Sequence, residues 1–256
     1  MKLNNIPKEL IEKIQVFQDG KEYDPDSSPA AWRHFEKIYL NEFSSQFDLK
    51  NLVLKKNRLL APSLTNSKEL KNNNIEFVGG ETDFNFNESN YEYYNKLIEL
   101  EDCEEKRHNL QIQLENCRKN HHTLVNFSLM PITGGLKNFK GRGRDRLDKF
   151  LVSLDMYFKD KNRENIEDLL ENDSDLVLSN YIIKFGLISY LKRFEDVQDY
   201  FKRIYFIQDK KLISDILANG EKEINTPDSL KEYMDLAQRF WNEKSQQIIK
   251  IKEKQK

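Results

Sequence analysis

Between Leu147 and Trp241 the apolar residues return every three or four positions, and this period constrains the fold more than any other feature of the chain. Leu147, Phe150, Leu151, Leu154 and Phe158 form one stripe. Phe194, Val197, Tyr200, Phe201, Ile204 and Tyr205 form another, and Leu212, Ile213, Ile216 and Leu217 a shorter one. A 3.6-residue repeat places such positions on one side of an α-helix, which must bury that side against a neighbour. Ile166, Leu169 and Leu170 open a further helix with acids on its water face, and Leu178 to Leu191 is apolar nearly all round, as a central helix is. Thr226 and Pro227 supply the cap and first residue of a final helix through Phe240 and Trp241. The charged stretch Lys250 to Lys256 is expected to fray.

Upstream, Ile6, Leu10, Ile14 and Phe17 predict a short first helix. Ser28 and Pro29 open a second, with Trp32, Phe35, Tyr39 and Phe43 on one side. The helical spacing is then lost. Ile75 to Val78 precedes Gly79 and Gly80, and Asp83 to Asn87 alternates with period two, as a half-buried strand does. Asn90 to Asn120 reads as helix again, with a break near Arg107. The expected fold is a predominantly α-helical α+β domain over residues 1–256. It has a strand-containing N-terminal part over 1–120, with the small strand region near 47–90, and a helical bundle over 144–250. Leu151, Leu154, Ile182, Phe185, Ile188, Phe201 and Ile204 should be buried together.

Charged residues make up 33% of the chain, yet 16 Phe and 11 Tyr are enough to build a core and exclude wholesale disorder. The net charge of −2 gives no general attraction for anions, so any basic site must be local. The most apolar window, Leu176 to Leu191, contains Asn180 and Lys184 and is too short to span a bilayer. The opening MKLNNIPKEL lacks the apolar run of a signal peptide. A cytoplasmic location without membrane contact is therefore expected. Cys103 and Cys117, if carried on one helix, lie about 21 Å apart, well beyond the ~7 Å reach of a disulfide. They are expected to be reduced thiols without metal.

One local site stands out. Gly141-Arg142-Gly143-Arg144 precedes a helix that starts near Asp145, and Lys140, Arg142, Arg144 and Arg146 bring charge suited to a phosphate. Glycines let a backbone turn closely around an oxyanion, and a helix N-terminus offers free N–H groups. The competing reading is a solvated turn whose arginines pair with Asp145, Asp148 or the acids near Glu164. His121 and His122 are the candidates for general base or metal ligand, but no second His or Cys stands at metal spacing, so a structural His at a helix end is the favoured reading. Asp83-x-Asn85-x-Asn87 starts like a calcium loop and fails at Glu88 and Tyr94, where Gly and Glu are needed. No metal site is expected, and no motif assigns a cofactor.

Three stretches together resemble a bacterial and prophage-borne family known only as a domain of unknown function. They are Asp24 to Phe35, Thr123 to Leu151 with Leu136-Lys137-Asn138 inside it, and Phe194 to Asp209. The likeness spans most of residues 20 to 217, and Val125 stands where the family pattern has glycine. The middle stretch is also faintly similar to the end of an HNH nuclease motif. That similarity implies catalytic roles for Asn126 and Asn138, with Lys140 beside them and His108, His121 or His122 as base.

Two functions are expected from these features. The first is a phage–host conflict protein, in defence or counter-defence, acting on nucleic acid or a nucleotide through the Arg-rich loop. The alternative is a non-catalytic module that docks a protein partner, or a second copy, through aromatic helix faces.

Overall fold

The computed structural model describes residues 6–11, 17–18, 21–22, 38, 53–54, 58–62, 74–131, 146–159, 191 and 194–254, and among these the chain is helix-dominated α+β. The expected helices over 28–43 and 166–191 lie outside the described residues but for Ile38 and Leu191, and Ile182, Phe185 and Ile188 lie outside them too. The other four residues of the expected core, Leu151, Leu154, Phe201 and Ile204, are each fully buried.

Short elements come first: α1 (Lys8–Ile11) and a two-stranded ribbon of β1 (Phe17–Gln18) and β2 (Lys21–Glu22). A four-stranded antiparallel sheet follows, in the order β3-β4-β5-β6, with β3 (Val53–Leu54), β4 (Arg58–Pro62), β5 (Asn74–Thr82) and β6 (Phe127–Pro131). The register of β5 against β6 slips between Val78 and Glu81, across Gly79 and Gly80, where glycine allows the extra residue of a bulge.

The strand does not continue over Asp83 to Asn87 as the alternation suggested. Phe84 and Phe86 are buried, but so are Asp83 and Asn85, so neither side faces water. The segment is instead held by side chains described below. Asn87 then caps α2 (Glu88–Ile98), its side chain accepting from the Asn90 N–H. The break before α3 (Glu104–Asn120) comes earlier than Arg107. Arg107 is the clamp of that turn: its guanidinium donates twice to the Glu101 carbonyl, at 2.9 and 2.6 Å.

After β6 come α4 (Leu147–Lys159), α5 (Val197–Tyr200), a π turn over Phe201–Tyr205, α6 (Lys210–Gly220) and α7 (Pro227–Lys254). The third aromatic stripe is thus not one regular helix. It ends with Phe206 at φ 58°, a left-handed conformation that costs a non-glycine residue about 1–2 kcal/mol. The Phe206 and Ile207 N–H groups both donate to the Phe201 carbonyl, and burial of the Phe206 ring holds the turn. α7 does not fray at Lys250 as its charge suggested: Ile248 is buried, Ile251 packs on the core, and Lys252 reaches Glu9 at 3.2 Å. Pro227 is the first helical residue as expected, with Thr226 Oγ1 accepting from the Ser229 N–H.

The core gathers around one face of α7. Tyr233, Phe240 and Trp241 meet Phe84, Phe86 and Tyr94, with ring centroids 5.2–6.2 Å apart.

Candidate functional site

The short turn between α3 and β6 carries His121, His122 and Asn126, and the structure brings these three together. Asn126 closes a one-turn 3₁₀ segment, Leu124–Asn126, and its side chain is completely buried. Its Oδ1 accepts from the Phe84 N–H at 2.9 Å and from Trp241 Nε1 at 2.7 Å. Its Nδ2 donates to the carbonyls of Phe84 at 2.8 Å and His121 at 3.0 Å. An amide side chain has two acceptor sites and two donors, and all four are taken. The Asp83 N–H also donates to the Asn126 backbone carbonyl at 2.7 Å. The β5–β6 ladder therefore continues past Thr82 through the side chain of Asn126, whose amide stands in for a strand backbone. A group so placed holds the fold.

His121 follows the last residue of α3 and is buried; its Nδ1 accepts from the Phe86 N–H at 3.4 Å. That bond extends the same surrogate ladder by one more step. His122 is exposed and stacks on His121 with centroids 4.2 Å apart. Asn138 lies outside the described residues.

Beside this turn lies a buried ion pair that the sequence did not reveal. Lys244 Nζ donates to Asp83 Oδ2 at 2.6 Å, to the Phe127 carbonyl at 2.6 Å and to Ser128 Oγ at 2.7 Å. Ser128 in turn donates to Asp83 Oδ2 at 2.9 Å. Lys244 and Asp83 are each only 1% exposed. A lysine next to a serine can serve as base to a nucleophile, but that requires a neutral amine and an open approach. Here the ammonium has an acceptor for each of its three protons, and the serine proton points at the carboxylate. The cluster ties the start of β6 and the end of β5 to α7. Asp83 and Lys244 stand 161 residues apart, so no local pattern could have paired them.

Arg146 is the one member of the basic run among the described residues; Lys140, Arg142 and Arg144 lie outside them. Arg146 was expected as a phosphate ligand, or else as the partner of an acid, and the geometry gives the latter. Its Nε and Nη2 form a fork on the Asp148 carboxylate at 3.0 and 2.5 Å. The remaining bonds go to the carbonyls of Lys222 and Asn219, at 3.0 and 3.2 Å. Asn219 Nδ2 donates to Asp148 Oδ2 at 2.6 Å, and the guanidinium sits 5.5 Å from the Tyr233 ring centroid. Burial opposes the charge on Arg146, and the Asp148 carboxylate more than offsets it, so the guanidinium stays protonated above its ordinary range.

Arg146 thus locks the first turn of α4 to the end of α6. Gly220 completes the joint, because a Cβ there would stand 2.3 Å from the Asp148 carbonyl oxygen. A cleft of about 340 Å³ opens beside the joint, between α6 and α7. Asp215, Lys222, Glu232, Asp235 and Arg239 line it together with Ala218, Asn219 and Leu236. Asp215 pairs with Arg239 at 2.7 Å and Lys222 with Glu232 at 3.2 Å. Both pairs cross the groove between the helices.

Among the described residues no group of three or more His, Cys, Asp or Glu side chains is arranged to hold a metal ion, and no helix is long and apolar enough to cross a membrane. Cys103 is exposed, Cys117 is buried, and both are free thiols. Comparison with known proteins finds no matching family model, no matching curated protein and no matching solved structure.

Proposed function

We propose that the chain binds nucleic acid through Lys140, Arg142 and Arg144, with Arg146 as the internal anchor of that basic run, and that it acts in phage–host conflict. The feature that carries this reading is the local sequence Lys140-Gly141-Arg142-Gly143-Arg144 ahead of α4; the pairing of Arg146 with Asp148, Asn219 and Lys222 takes that residue out of the set of ligands. The cleft beside the joint carries three carboxylates against two cations, which disfavours a nucleotide in that cleft. The conflict setting rests on the likeness of residues 20 to 217 to a bacterial and prophage-borne family.

The second reading, docking through aromatic helix faces, draws no support from the described aromatics of the C-terminal helices, while Trp32, Phe35, Tyr39 and Phe43 lie outside the described residues. Phe194, Tyr200, Phe201, Tyr205, Phe240 and Trp241 are all at most 1% exposed. The exposed large apolar side chains among the described residues are Leu100, Ile112 and Met156, and none of these is aromatic.

The test is fluorescence anisotropy with labelled single-stranded DNA and RNA, run as a salt series beside free nucleotides. Three phosphate contacts predict a slope of log K against log salt near about −2. Changing Arg142 and Arg144 to Ala should lower affinity at least tenfold and alter stability by under about 0.5 kcal/mol. Arg146→Ala should instead lower the melting temperature. Binding that survives the double change puts the site elsewhere. Binding of free nucleotide alone overturns the choice of nucleic acid, and binding indifferent to salt restores the apolar partner.

A further inference from the structure

We draw no further inference here: the strongest candidate, the cleft of about 340 Å³ between α6 and α7, carries nothing because each charged side chain lining it already has a partner, Asp215 in Arg239, Lys222 in Glu232 and Asp235 in Gln113 and Lys231, and no polar group in it points to a ligand.

Discussion

The indole N–H of Trp241 donates to the side-chain oxygen of Asn126 across 115 residues of sequence, at 2.7 Å and in complete burial. This single bond joins α7 to the turn that carries His121 and His122. It also places the largest side chain of the core against the end of the sheet.

Asn126→Leu should cost at least about 3 kcal/mol, because it strands four buried polar groups and each unsatisfied group costs about 1–3 kcal/mol. Asn126→Asp should be worse at neutral pH and recover as pH falls. A carboxylate there would face the Phe84 and His121 carbonyls, so its folded pKa would be raised and stability would return on protonation. Chemical denaturation at pH 7 and pH 5 measures both. A stable Asn126→Leu protein that has lost only an activity would restore the catalytic assignment.

Lys244→Met should cost about 3–5 kcal/mol, since it leaves the Asp83 carboxylate buried without its counter-charge. Adding Asp83→Asn should return part of that loss, because the unpaired charge is then gone. A double-mutant cycle in urea reads the coupling. Simple additivity of the two changes would contradict the pair.

Gly220→Ala should destabilise by about 3 kcal/mol through overpacking of α6 on the Asp148 backbone. Ala218→Ser, on the same helix in the open cleft, should be near neutral. Thermal melts of the two proteins side by side test the joint, and equal melting temperatures would refute it.

Alkaline solution should weaken the fold. Burial raises the Cys117 thiol above its ordinary 9.0 and the Tyr233 hydroxyl well above its ordinary 10.0. Once the pH passes those ordinary values, the unfolded chain has released protons that the folded chain retains. Stability is therefore complete below pH 9.0 and falls as pH rises, by up to about 1.4 kcal/mol per pH unit for each group. Cys117→Ala should flatten the first part of that fall. In the native protein at pH 8, a thiol reagent should label Cys103 quickly and Cys117 only through unfolding.

The stripes of α4 and α6, the Thr226–Pro227 start of α7 and the burial of Phe201 and Ile204 were legible because each is written within a few neighbouring residues. The Asp83–Lys244 pair was not. In a chain where a third of the residues are charged, nothing in the neighbourhood of either one distinguishes a buried ion from a solvated one. Asp83 to Asn87 misled for a related reason. Its alternation is real, but its polar members are satisfied by Lys244 and by backbone groups, so both sides turn inward. The nuclease-like spacing singles out Asn126 but says nothing of its four hydrogen bonds, whose partners Phe84 and Trp241 are distant in sequence. The end of α7 is masked in the sequence by the charge of Lys250 to Lys254, although Ile248 and Ile251 keep the helical spacing and pack on the core.

The reach of α7 back to Asp83, Asn126 and Ser128 also sets an order of events during synthesis. Phe84 and Phe86 have no aromatic cover from Tyr233 and Trp241, and Asp83 no counter-ion, until more than a hundred further residues have been made. A nascent chain stopped before residue 233 therefore exposes two phenylalanines and a charge that the finished core conceals. Such a fragment is expected to be cut by proteases faster than the whole protein.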